Sequence, residues 1–183
     1  MLRRSVVLSL SALALSACAG GGGGRMGPDG KPLPQVYKIG QGDVGRLQLR
    51  MSDSVNALRQ ARGLAPLQLN ANLNAAAATH ARDMSVQNRP WHFGSDGSSP
   101  IQRAQRAGYA GTLLGELISE TYETELETLA AWMEGPDTRA ILLEPAAREM
   151  GFAFYQESNG KIWWTMNTGS GFGAVQVAGL PGG

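Results

Sequence analysis

Few side chains in this sequence can do chemistry. Its 183 residues include two histidines, His80 and His92, and a single cysteine, Cys18. One cysteine excludes an internal disulfide and a thiolate metal site. The histidines stand twelve positions apart, not the one-turn spacing that puts two imidazoles on one face of a zinc peptidase helix. His80 falls on the apolar side of a periodic segment, where a core histidine with satisfied hydrogen bonds is expected. Ser158-Asn-Gly-Lys161 has the Ser-x-x-Lys spacing of an acylating serine, but that serine must start a helix, and Asn159-Gly160 marks a turn. No Gly-x-Ser-x-Gly elbow occurs, so acyl transfer has no nucleophile with a visible base. The acids Glu116, Glu120, Glu123, Glu125 and Glu127 suit a largely solvated face. Trp91, Trp163 and Trp164 are expected to pack in the core and at its rim, with a ligand groove as the alternative.

The elements that must position these groups are legible from periodicity. Ser52 or Asp53 is expected to cap a first helix running to about Arg62, with Met51, Val55 and Leu58 on its apolar side and Gly63 as its stop. Leu64 to Leu69 reads as a short extended link. Asn70 or Asn72 then opens a long helix to Asn88, with Leu73, Ala77, His80 and Met84 at helical spacing. After a loop from Arg89 to Ser99, Pro100 takes the first position of a third helix. Thr112 to Ser119 reads as extended, Glu123 to Glu134 as a helix with Leu126, Leu129 and Met133 on one side, and Pro136 as the start of another. Ala153-Phe-Tyr and Ile162-Trp-Trp-Thr flank Asn159-Gly160 as a terminal hairpin. This order predicts an α+β domain in which helices cover an antiparallel sheet.

The N-terminus reads as an export signal over residues 1–17: Arg3 and Arg4, an apolar run from Val6 to Leu15, then small residues. The run is far short of the roughly 20 apolar residues that span a bilayer. Leu15-Ser16-Ala17-Cys18 resembles the lipobox of bacterial lipoproteins, which implies a diacylglycerol on the Cys18 thiol and cleavage just before it. The implied partner is the membrane, through a lipid anchor. Ala19, in place of aspartate, resembles the outer-membrane sorting pattern and implies the periplasmic face of the outer membrane in the cell envelope. Residues 18–45, with five consecutive glycines from Gly20 and Pro28, Pro32 and Pro34, read as a tether. Residues 46–168 read as the single folded domain and 169–183 as a Gly-rich tail. Loss of Arg3 and Arg4 leaves 14 of the 16 basic residues against 15 acidic ones, a net charge of −1. That balance carries no electrostatic footprint for nucleic acid.

From Val55 to Thr168 the chain resembles the CAP superfamily of cysteine-rich secretory proteins, antigen 5 and pathogenesis-related proteins, in its bacterial form. The resemblance rests on Asn56-Ala-Leu-Arg59, Gly63-Leu-Ala-Pro-Leu67, Ala76-Ala-Ala-Thr-His80-Ala-Arg-Asp-Met84 and His92-Phe-Gly-Ser-Asp-Gly-Ser-Ser-Pro100 with Arg103 and Ala107-Gly-Tyr109. It continues through Gly115-Glu116, Trp132-Met-Glu-Gly-Pro136, Arg139, Leu142 and Glu149-Met-Gly151. It implies a three-layer αβα sandwich with a central antiparallel sheet. It also implies a cleft built from the positions of His92, Glu116, Thr138 and Glu149, where many members hold a divalent cation with two histidines and two glutamates. Here Thr138 stands for the second histidine and Leu117 for the asparagine after Glu116. A threonine hydroxyl is a poor zinc ligand, so His92, Glu116 and Glu149 would hold zinc only weakly, and no cofactor is expected. The alternative role for His92 is a hydrogen bond to Glu149 or Glu116 that holds its loop to the sheet.

The leading expectation is therefore an envelope-tethered module that binds a small apolar, lipid or peptide ligand, or an envelope protein. The alternative is a metal-dependent hydrolase or peptidase in which Glu149 or Glu116 activates water and His92 serves as acid or base.

Overall fold

Every residue of the strand Ile162–Gly169 is buried. A strand covered on both faces needs a layer of structure on each side, and this strand, β4, is the middle of the molecule. The computed structural model describes residues 37–120 and 123–171, all within one unit, Val36–Gly183. The expected signal peptide, Cys18 and the Gly-rich run lie outside the described residues, as does the tail beyond Gly171.

Four strands form one sheet in the order β1-β3-β4-β2, with β1 at Gln68–Leu69, β2 at Leu113–Ser119 and β3 at Glu149–Gln156. β4 runs antiparallel to both β2 and β3. The sheet is mixed rather than purely antiparallel, because β1 adds to β3 in parallel. Gln68 N donates to Arg148 O at 2.9 Å and Asn70 N to Met150 O at 2.8 Å. Two residues carry no alternation, so the sequence showed this edge only as an extended link.

Alternation along β4 sorts the two layers. Trp164 and Met166 join Met150, Phe152 and Leu117 in the larger core. Its helices are α1 at Val44–Gln60, α4 at Glu125–Glu134 and α5 at Pro136–Leu142. Trp163 points the other way, onto Ala81 and Met84 of α2 at Ala71–Gln87. The short α3 at Pro100–Arg106 lies beside α2. The result is the expected αβα sandwich. At Gly151 the layers touch: a Cβ there would lie 2.1 Å from the Leu73 carbonyl carbon and 2.4 Å from Asn74 N. Glycine is what lets α2 cross β3 at backbone contact.

Local signals set the helix ends. Asn70 Oδ1 accepts from Asn72 N and Leu73 N to cap α2, and Asn88 closes it in the left-handed region at φ 48°. Ser99 with Gln102 forms a capping box before Pro100, and Thr124 with Glu127 does the same for α4. α1 departs from expectation. It starts at Val44, and Ser52 is a buried residue within it. Leu47, Met51 and Val55 are its fully buried apolar residues, and their spacing extends the helix upstream through a stretch whose glycines masked it.

The folded part also begins earlier than the expected tether end at residue 45. Tyr37 and Ile39 pack on the larger core. Gln156 brackets them, accepting from Ile39 N at 3.0 Å and donating to Tyr37 O at 2.6 Å. At the other end, Ser170 N donates to Thr112 O and Gly171 N to the Tyr109 hydroxyl. Two charged residues are interior, and one of them, Glu125, is among the acids expected on a solvated face. Glu125 is fully buried, bonded to Arg50 at 2.7 Å and to the Tyr37 hydroxyl at 3.2 Å. Arg59 is also fully buried and donates to the carbonyls of Ala65, Leu142, Glu144 and Ala147. Leu126, read as part of the apolar side of α4, is 44% exposed instead. Ser158 and Lys161 lie in the hairpin loop, with Gly160 at φ 99°, so the Ser-x-x-Lys spacing has no helix start.

Candidate functional site

Glu116 sits on β2 opposite Asn167 of β4, on the face of the sheet that α2 covers. Burying a carboxylate is costly unless a charge and hydrogen bonds compensate it. Arg103 of α3 supplies the charge: its Nη2 lies 2.8 Å from both Glu116 oxygens. The same guanidinium donates through Nη1 to Ser98 O at 2.8 Å and through Nη2 to His92 O at 2.9 Å. One buried arginine thereby ties the loop 92–98 to the sheet.

His92 adds the third contact, with Nδ1 at 3.0 Å from Glu116 Oε1. A carboxylate oxygen beside a guanidinium accepts, so Nδ1 carries the hydrogen, and in the neutral ring Nε2 is then the acceptor. The His92 side chain is 49% exposed. The structure therefore pairs His92 with Glu116, not with Glu149.

The other two expected cleft residues are engaged elsewhere. Thr138 donates to Trp132 O at 2.6 Å, with Gly135 O at 3.2 Å as a second acceptor, and so braces the turn between α4 and α5. Glu149 hydrogen-bonds the Tyr109 hydroxyl. Burial, opposed by the Gly171 amide and reinforced by Glu149, pushes the Tyr109 pKa up to about 12. Glu149 pairs with Gly169 whereas Glu116 pairs with Asn167. Sheet spacing alone puts the two glutamate Cα atoms on the order of 12 Å apart. Leu117, in the position of the family's asparagine, is buried in the larger core.

Metal ligation is a poor fit to these groups. Among the described residues no three His, Cys, Asp or Glu side chains gather as a set able to hold an ion. The best carboxylate is already neutralised by a guanidinium in contact, and a cation placed beside Arg103 would be repelled.

Two residues outside the expected site prove central to it. Arg103 was visible only as part of a resemblance, although the Ser99 cap and Pro100 fix the register that turns it inward. His80 is fully buried, with Nε2 3.0 Å from Trp91 O and 3.6 Å from Glu116 Oε1. A carbonyl only accepts, so Nε2 is the protonated nitrogen, and the buried Nδ1 has no hydrogen-bond partner. Burial lowers the His80 pKa from its ordinary 6.5, against the pull of Glu116 and Asp83 and with Arg103. A histidine kept neutral in the fold costs stability once the unfolded chain can take the proton. The domain is expected to lose melting temperature as pH falls below 6.5, and His80→Gln should flatten that dependence. Parallel melting curves of the two proteins would reject this if their slopes matched.

A cavity of about 420 Å³ lies between α2 and α3, and Asp83, Ser95, Asp96, Arg103 and Arg106 supply most of its polar lining. Arg103 is its shared wall with the Glu116 cluster. His92 itself projects from the segment Trp91-His92-Phe93, whose two rings stand 5.5 Å apart.

Residues 53–168 match the model of the cysteine-rich secretory protein family, CAP. The chain is 28% identical over 120 residues to the uncharacterized protein YkwD of Bacillus subtilis, an alignment covering 66% of this chain and 46% of that protein. It thus spans less than half the length of this curated relative. Among solved structures, an outer surface protein of Borrelia burgdorferi superposes with a TM-score of 0.64 at 17% identity, covering 74% of this chain and 98% of that one. An extracellular protein of Bacillus anthracis containing an SCP domain gives 0.64 at 21% identity, over 80% and 44%. At these identities the structures speak to the fold alone.

Proposed function

Because the chain belongs to the cysteine-rich secretory protein family, CAP, we propose that it is a lipid-anchored module of the bacterial envelope that binds a ligand or partner rather than a metal enzyme. The observation that carries this reading is the engagement of Glu116 by Arg103 and His92. A carboxylate held in that way neither ligates a cation nor activates water. With Nδ1 on Glu116, the neutral His92 ring has Nε2 left as an acceptor, in a segment flanked by Trp91 and Phe93. That combination suits an apolar or lipid-like molecule, or a peptide, carrying one hydrogen-bond donor.

The location rests on the export signal and lipobox of the sequence, with support from relatives whose names describe an outer surface protein and an extracellular protein. No helix among the described residues is long and apolar enough to cross a membrane, so the anchor in this reading is the lipid on Cys18. Palmitate labelling that disappears in Cys18→Ala is the expected result.

Ligand capture from membrane extract by wild type and His92→Ala tests the binding role. Wild type should retain a species that the variant releases, and equal, negligible yields would sink the reading. Calorimetric titration with zinc tests the alternative. Neither wild type nor Thr138→His is expected to show stoichiometric binding, because Arg103 neutralises Glu116 and Tyr109 holds Glu149. Stoichiometric heat from the wild type would restore the metal-dependent hydrolase, with Glu149 or Glu116 and His92 as its working groups.

A further inference from the structure

We infer that the segment Arg89–Phe93 is the face with which the domain rests on the phospholipid surface that anchors it. This rests on the lipid-anchor reading above and adds an orientation to it.

Three observations carry the inference. The first is the make-up of the segment. Phe93 is 48% exposed, Val86 at the end of α2 is 75% exposed, and the Arg89 guanidinium lies over the Trp91 ring at 3.7 Å from its centroid. Tryptophan, phenylalanine and arginine together form the residue set that settles at a bilayer's headgroup boundary, since each joins an apolar body to a polar or cationic part or inserts beside one. The second is rigidity. Gln87 holds both aromatic residues in place, accepting from Trp91 Nε1 at 2.8 Å and donating to Phe93 O at 3.2 Å. The exposed rings are presented by bonds and are not the product of a loose loop.

The third observation is where the anchor's chain enters. Tyr37 is bonded through its carbonyl to Gln156, which also donates to Gly160 O in the hairpin loop. From the same loop Lys161 reaches Asn88 at 3.5 Å, one residue before Arg89. The entry point and the start of the aromatic segment therefore lie toward the same end of the sheet, on its two faces, Tyr37 against the larger core and Asn88 at the end of α2. Eighteen residues separate Cys18 from Tyr37, and even fully extended they reach no more than roughly 65 Å. A surface held that close meets the segment at high effective concentration, so a weak contact is enough. Two partly exposed rings are far less than the ~800 Å² per side that a stable protein interface buries. At this end Glu120 pairs with Lys161. Arg89 and Lys38 are both exposed and supply the cations that would face anionic headgroups.

Cys18 is the only thiol in the chain, so the chain from Cys18 onward can be coupled to a maleimide lipid in phosphatidylcholine–phosphatidylglycerol vesicles carrying brominated acyl chains. Three of the four tryptophans, Trp132, Trp163 and Trp164, are at most 4% exposed. Bromine quenching should therefore remove up to about a quarter of the emission, from Trp91 alone. Arg89→Ser with Phe93→Ser should cut that quenching by about twofold or more, and Ile101→Ser, which is exposed beside Tyr109 and Thr112 on another part of the surface, should leave it unchanged. Amide exchange over residues 88–93 should slow on vesicles. Equal quenching in wild type and the double variant overturns the proposal, and slowed exchange without quenching overturns it in favour of a protein contact. Because the coupling is chemical, vesicle contact with no palmitate labelling in cells would mean that the anchor reading fails while this face stands.

Discussion

Arg103→Met is expected to destabilise the domain by about 3–5 kcal/mol, the range for removing one partner of a buried ion pair. The methionine fills much of the same volume, so the loss is electrostatic: Glu116, 6% exposed, is left with two imidazoles beside it, His92 at 3.0 Å and His80 at 3.6 Å, and no guanidinium. Two further acceptors, Ser98 O and His92 O, lose their donor. Arg103→Lys should recover only part of the loss, since one ammonium cannot reproduce a planar fork that reaches three acceptors. The double variant Arg103→Met with Glu116→Leu should recover most of it, because a buried pair replaced as a unit is often close to neutral. Urea unfolding of the set checks the cycle. A single variant within about 1 kcal/mol of wild type would mean that Glu116 finds water or neutralises, and the pair would not be what holds the loop 92–98.

Arg59→Met should cost a comparable amount, about 3–5 kcal/mol, by a different route. Arg59 has no carboxylate among its hydrogen-bond partners; four backbone carbonyls surround it. Each buried acceptor left unmet costs about 1–3 kcal/mol, less what relaxation recovers. The carbonyls belong to the α1–β1 link, to the last residue of α5 and to the chain between α5 and β3, where no ladder satisfies them. The expected signature is a lower urea midpoint with an unchanged slope, and faster exchange over residues 142–148. A destabilisation confined to α1 would contradict the bracing role.

The two arginines show why part of the site was hidden. Both stood in the sequence only as residues of a family resemblance, with no partner assigned, and a sequence pattern has no term for a cation whose partners lie 83 to 88 positions away, as Leu142, Glu144 and Ala147 do from Arg59. The long helix, the Asn-Gly hairpin and β2 were legible because their signals are local: an asparagine cap, a turn pair, an apolar run. The first helix starts earlier than the caps Ser52 or Asp53 suggest, because its real start at Val44 lies among glycines that carry no helical signal. Of the site residues, His92 and Glu116 were legible by resemblance, but which glutamate His92 would meet was not.

What the sequence by itself determined is the class of the fold and the order of its elements, since caps, turns and hydrophobic period act over a few residues. It also supplied the parts of the site, including the missing second histidine at Thr138. Tertiary structure alone decided what those parts do. α2 crosses at Gly151, β2 places Glu116 beneath it, and α3 swings Arg103 to the same point, so a carboxylate that could have met a cation is neutralised by a guanidinium. Thr138 and Glu149 are spent on bonds of their own. The reason is physical: a buried charge takes the partner that packing brings within reach, and packing joins residues that no local pattern connects.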